Sequence, residues 1–121
     1  MSLPIVGIGA SAGGLESFSE LLARIPADTG MAYVFVQHLD PGHVSLLAEI
    51  LSKRAGFPVE QAREGVKTLP DRLYVIAPNT TLILGGGVLH LSSRDPAERP
   101  HRPVDAFFHS LARERGPNAI T

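Results

Sequence analysis

The sequence contains no cysteine, which excludes disulfide scaffolds, thiolate zinc sites and cysteine nucleophiles together. It has no excess of either charge: eleven basic residues stand against twelve acidic ones, a formal net charge of -1, so no global field favours nucleic acid or an anionic membrane. Aromatics are sparse at 6%, and nowhere do they interleave with basic residues as in a single-strand nucleic-acid binder. No apolar run approaches the ~20 residues needed to span a bilayer, and the N-terminus lacks the basic region and cleavage site of a signal peptide. The chain therefore reads as soluble, unexported and cytoplasmic, with no nucleic-acid partner and no membrane insertion. Repeats and low-complexity tracts are missing too. What remains is one globular domain, because 121 residues at 44% hydrophobic and 19% charged composition leave no room for a second core.

Leu3-Pro4-Ile5-Val6-Gly7-Ile8 is almost wholly apolar and leads into a glycine-rich turn, as a parallel strand buried on both faces should. Leu15, Phe18, Leu21, Leu22 and Ile25 then recur at helical spacing, with Glu16 and Glu20 opposite and Pro26 beyond the end. Ala-Tyr-Val-Phe-Val-Gln at 32–37 follows the Asp28-Thr29-Gly30 turn as a second strand. Strand, helix and strand of these lengths make a right-handed βαβ unit. Past Pro41-Gly42, the positions Val44, Leu46, Leu47, Ile50 and Leu51 predict a second helix ending near Gly56 and Pro58. Residues 73–77 predict a further buried strand. Residues 81–84 and 88–92, joined by Gly85-Gly86-Gly87, predict a hairpin. A polar, proline-bearing loop at 93–103 precedes a third amphipathic helix at 104–115, which Gly116-Pro117-Asn118 stops. Ala119-Ile120-Thr121 reads as the start of another strand. The fold expected is a three-layer α/β/α, doubly wound, mainly parallel sheet with a β-hairpin excursion.

The first turn carries the chemistry. Gly9-Ala10-Ser11-Ala12-Gly13 fits the nucleophile-elbow pattern G-x-S-x-G in its required place between strand and helix. Small neighbours let the backbone turn sharply so that the Ser11 hydroxyl projects from the strand's carboxyl end. The N–H of Ala12 and the helix N-terminus suit a developing oxyanion. The same residues also read as Gly7-x-Gly9-x-x-Ala12, a dinucleotide fingerprint, although the second strand ends in Gln37-His38 and not in the acid that would hold a ribose. His38 follows Ser11 by 27 residues and falls at the carboxyl end of the neighbouring strand, where an imidazole base would activate a serine hydroxyl. The plainer alternative is a capping serine and an ordinary loop histidine. Two placements on one edge favour the Ser11–His38 pair.

Gly9-Ala10-Ser11-Ala12-Gly13-Gly14, Val36-Gln37-His38 and Pro41-Gly42 resemble the catalytic domain of CheB-type chemotaxis protein-glutamate methylesterases. Leu73-Tyr74-Val75-Ile76-Ala77-Pro78, Val88-Leu89-His90-Leu91 and the stretch from His101-Arg102-Pro103 through Asp105 to Ser110 are similar to later family segments in the same order. The resemblance implies hydrolysis of glutamyl methyl esters on chemoreceptors or related signalling proteins, with Ser11 as nucleophile and His38 as base, no cofactor, and a related glutamine deamidation. It places Arg102 and Asp105 along the substrate cleft, against the alternative of a surface pair near a helix start. Three departures accompany it. The family's catalytic aspartate belongs to a glycine-rich segment after the strand beginning at Ala119, so the chain reads as a methylesterase-like domain, 1–121, truncated before its last strands, and Asp40, Asp71, Asp95 and Asp105 are not equivalents. No receiver domain is expected ahead of the first strand, an arrangement that resembles the modules fused to a methyltransferase and sensor domains. Ala12 stands where chemotaxis enzymes commonly have threonine.

His43, His90, His101 and His109 lack ligand spacing, so no metal site is assigned. Phe18, Tyr33, Phe35, Phe107 and Phe108 are read as core. The expected function is a serine hydrolase demethylating glutamyl esters. The rivals are a binding module of the same fold without turnover and a nucleotide-binding domain.

Overall fold

Five consecutive residues, Ala32, Tyr33, Val34, Phe35 and Val36, are buried, as expected of a central strand covered on both faces. They belong to a computed structural model that describes residues 4–10, 15–37, 47–76, 80–93, 103–115 and 119–120. The elements in order are β1 (Ile5–Ala10), α1 (Leu15–Leu22), β2 (Ala32–Gln37), α2 (Leu47–Ser52), β3 (Val59–Gln61), β4 (Val66–Lys67), β5 (Arg72–Val75), β6 (Thr80–Gly85), β7 (Val88–Ser93), α3 (Pro103–Arg115) and β8 (Ala119–Ile120). A five-stranded sheet has the order β3-β5-β2-β1-β8, with every pairing parallel. A second, antiparallel sheet has the order β4-β7-β6.

Because side chains alternate across a strand, β2 divides its residues between two cores. Ala32, Val34 and Val36 join Ile5, Tyr74, Ile76, Leu82, Leu84, Leu89, Phe107 and Leu111 on the side of α3 and the small sheet. Tyr33 and Phe35 join Phe18, Leu22, Leu51, Phe57, Leu73 and Val75 on the side of α1 and α2. This is the expected three-layer architecture; of the aromatics read as core, Phe18, Tyr33, Phe35 and Phe107 are buried and Phe108 is partly buried.

Three local differences from the sequence reading have physical causes. The helical pattern reaches Ile25, but α1 ends at Leu22; the N–H groups of Arg24 and Ile25 donate three residues back, to Leu21 and Leu22, tightening the last turn before Pro26. The hairpin loop is two residues, since Gly85 pairs with Val88. Gly86 and Gly87 both take positive φ, 63° and 75°, the conformation that a primed turn demands and only glycine adopts without strain. The hairpin is also more than an excursion, because β4 adds a third strand to it. Both β4 and β3 are two or three residues long and half charged or polar, so they carry no apolar run to announce them.

The helix α3 covers β1 and β6. It starts with Pro103, whose fixed φ and missing N–H suit a first helical position. It comes close to the backbone at Gly7: a Cβ there would lie 2.9 Å from Leu111 Cδ2 and 3.1 Å from Phe108 Cε1. The edge strand β6 is covered by a side chain as well as by the helix. Leu84 N–H donates to Ser110 Oγ at 2.9 Å, and that hydroxyl donates to Phe107 O at 2.7 Å.

Candidate functional site

The two edges of the large sheet are built differently. At the amino edge the connections are bound to one another. Ala32 N–H donates to Pro4 O, Leu73 N–H to Pro58 O and Asp71 N–H to Met31 O. Asp71 takes a positive φ of 59°, uncommon for a residue with a Cβ, and its Oδ1 accepts the Gly30 N–H at 2.8 Å. Its carboxylate thus closes a turn at the edge opposite to the one predicted for chemistry, in keeping with the expectation that Asp71 is no triad member.

At the carboxyl edge, β1 and β2 end level. They pair in register from Ile5↔Ala32 through Ala10↔Gln37, so the residues directly after the last pair are Ser11 and His38. Ser11, Ala12, His38 and Arg102 lie outside the described residues, as do Asp40, Asp95, His43 and His101. Asp105 belongs to the first turn of α3. The same edge is where crossovers leave β1 and β2 in sequence, the position at which open α/β sheets hold their sites.

The dinucleotide reading meets an obstacle at Gly7. Both Gly7 and Gly9 lie within β1, paired with Val34 and Val36, and the space over Gly7 is filled by Leu111, Phe108 and Phe107. The missing Cβ admits a helix, not a pyrophosphate. Beside β1 a hollow of about 450 Å³ is lined by Val6, Ile8, Leu21, Ile25, Tyr33 and Phe108, among others. Among the described residues its one titratable lining side chain is Tyr33, whose hydroxyl is 2.7 Å from Thr29 Oγ1.

Other polar groups that the sequence did not announce hold the small sheet in place. Strand β4 pairs only with Val88 and Leu89, and beyond it the Glu64 carboxylate takes over as the partner of β7. Its Oε2 accepts the Leu91 N–H at 2.7 Å, and its Oε1 is 3.1 Å from His90 Nδ1. The His90 contact and the Leu91 N–H hold the Glu64 carboxyl below its usual range. The Tyr74 hydroxyl accepts the Leu69 N–H and donates to Lys67 O; burial pushes its phenol up. Ser110 offered the one readable signal, a hydroxyl on the apolar stripe between Phe107 and Leu111. His109 is exposed on α3. Among the described residues no three His, Asp or Glu side chains cluster as metal ligands would, and no helix is long and apolar enough to cross a membrane.

A mainly parallel sheet in the order β3-β5-β2-β1-β8, with α1 and α2 on one face and α3 on the other, defines a doubly wound α/β domain. The sequence profile of CheB methylesterase matches residues 6–121, and the chain belongs to that family. It is 42% identical over 110 residues to a protein-glutamate methylesterase/protein-glutamine glutaminase of Burkholderia lata, covering 89% of this chain and 32% of that protein. The corresponding protein of Paraburkholderia xenovorans is 34% identical over 121 residues, covering 96% and 33%. The crystal structure of the Thermotoga maritima CheB methylesterase catalytic domain superposes with a TM-score of 0.82 at 25% identity, over 98% of this chain and 65% of that one. The chain thus spans about a third of the length of the curated relatives it matches.

Proposed function

We propose that this chain is part of a serine esterase domain that hydrolyses glutamyl methyl esters on chemoreceptors or related signalling proteins, with glutamine deamidation as a companion reaction. The observation that carries the reading is the level ending of β1 and β2: Ala10 and Gln37 are register partners, and Ser11 and His38 each follow by one peptide link, ~3.8 Å from Cα to Cα. The profile match spans both residues, and the relatives' names describe the same activity.

In the mechanism proposed, Ser11 Oγ attacks the ester carbonyl carbon while His38 takes its proton. The Ala12 N–H stabilises the oxyanion. Collapse of the tetrahedral intermediate breaks the carbon–oxygen bond to the methoxy group, which leaves as methanol with the proton from His38. Water, deprotonated by His38, then attacks the acyl-serine, releasing the glutamate carboxylate and restoring Ser11. Arg102 and Asp105 are assigned to the substrate side. Nothing in this sequence of steps calls for a cofactor. The site of action inferred is the cytoplasm, where the signalling segments of receptors are reached.

Fluorophosphonate labelling of the folded full native chain tests the reading. Expected is a covalent adduct on Ser11 Oγ with loss of fluoride, abolished in Ser11→Ala and strongly slowed in His38→Ala. A folded protein that forms no adduct overturns it. Receptor-peptide binding that survives Ser11→Ala, with no ester turnover in the wild type, assigns the domain to binding instead.

A further inference from the structure

We propose that Ser110 is a positioning residue: its buried hydroxyl fixes the height at which the first turn of α3 stands at the carboxyl edge of the large sheet. The functional part of this proposal rests on the assignment of Arg102 and Asp105 to the substrate side.

Ser110 is 0% exposed. A serine inside a helix gives up propensity, and a buried hydroxyl is costly unless fully bonded. This one is bonded twice, accepting from Leu84 N–H at 2.9 Å and donating to Phe107 O at 2.7 Å. An apolar contact between helix and strand tolerates sliding by fractions of an ångström. A hydrogen bond from a backbone N–H of β6 does not, because it weakens steeply with distance and angle. The close approach over Gly7 sets how deeply α3 sits; the Ser110 bond sets where it sits along β6.

That height matters at the other end of the helix. Pro103 stands four residues before Phe107, ~6 Å along the helix axis, and Ala10 stands three residues after Gly7, ~10 Å along the strand. Since α3 runs from the carboxyl edge back to β8, which pairs at Ile5 and Val6, its first turn rises beside the last residues of β1. A helix moves as a rod over one or two turns, so a displacement at Ser110 is passed to the first turn of α3, to which Asp105 belongs and which Arg102 precedes in sequence. Displacements of ~1 Å near reacting groups are enough to cost large factors in rate or binding.

The test uses the full native chain with Ser110→Ala, Arg102→Ala and the double variant, assayed on a methyl-esterified receptor peptide at a temperature where all are folded. Ser110→Ala is expected to raise KM ~5-fold with kcat changed less than ~2-fold, and to raise KM less than ~2-fold in the Arg102→Ala background. Additive effects, or a lowered Tm with KM unmoved, overturn the proposal. Hydrogen exchange gives a second readout that needs no turnover. In Ser110→Ala the Leu84 amide and the Phe107 and Phe108 amides, whose bonds close the first turn of α3, should exchange faster while the β1–β2 pairing is unchanged; uniform loosening, or none, also overturns it. Should Ser110→Ala fail to fold, Ser110→Thr keeps the hydroxyl and is expected to retain the wild-type KM and first-turn protection despite a lower Tm; loss of both counts against. A folded wild type that hydrolyses no ester sinks the esterase reading, and the exchange result then decides the pinning of α3 by itself.

Discussion

The two faces of the large sheet hold their helices by different means. Toward α1 and α2 the core is a slab of rings: Phe18 and Phe35 stack with centroids 4.4 Å apart and planes 2° from parallel, and Tyr33 tilts against Phe57 at 5.4 Å. Toward α3 and the small sheet the core is mostly aliphatic, and directed contacts dominate: the bare backbone of Gly7, the Ser110 hydroxyl, and the Tyr74 hydroxyl between Lys67 and Leu69. Rings supply large buried area, whereas hydrogen bonds and close backbone approach fix the position of backbone against backbone. The ring face contributes mainly stability. The α3 face contributes placement, and α3 is the element whose first turn stands at the edge proposed for chemistry.

The sharpest way to break this comparison is Phe35→Ala. Removing a fully buried ring from the stack should cost ~3–5 kcal/mol, read as a lower urea midpoint; a loss under ~1 kcal/mol would show that the ring face is not the main source of stability. Gly7→Ala tests the other face. The new methyl would meet Leu111 Cδ2 at 2.9 Å, and we expect ~1–3 kcal/mol of destabilisation, partly recovered by Leu111→Val in the same chain; strict additivity of the two changes would show that they do not share that contact. At the hairpin, Gly86→Ala places a Cβ at φ 63° with nothing within 4 Å to clash, so the cost is conformational alone, ~1 kcal/mol. The smallest effect belongs to Glu64. Its carboxyl is held below its ordinary range, so the folded state favours the charged form. The resulting stability is present above the unfolded carboxyl's pKa of ~4.3 and is lost as pH falls through the lower folded value. Thermal melts from neutral to strongly acidic pH should show a slightly steeper acid decline for the wild type than for Glu64→Gln; identical profiles would remove this role.

Most of the large sheet was legible because its strands are buried on both faces and so read as apolar runs. β2 matches its predicted span residue for residue, and the hairpin was visible from its glycines. The elements that escaped are short strands defined by their pairing. Val59-Glu60-Gln61 becomes a strand by pairing with β5, and Val66-Lys67 by pairing with β7, neither having an apolar pattern of its own. Glu64 looks like any surface acid until Leu91 is brought within 2.7 Å of it. For the candidate site, the adjacency of β1 and β2 was readable, since each is an apolar run and a helix of crossover length joins them. Gly7 shows the opposite case. Its role depends on a helix about a hundred positions away in the chain, and spacing within the first turn suggested a phosphate in the place that Leu111 and Phe108 occupy.

The pairing of Ile5 with Ala119 and of Val6 with Ile120 also sets an order of assembly. The β6–β7 hairpin and the β1–β2 crossover close short loops, while the β1–β8 pairing joins the two ends of a long one, whose closure entropy must be met before its contacts form. During synthesis the residues of the local units leave the ribosome well before Ala119 and Ile120, and until these arrive that side of Ile5 and Val6 lacks its native partner strand and is open to pairing with a neighbouring nascent chain.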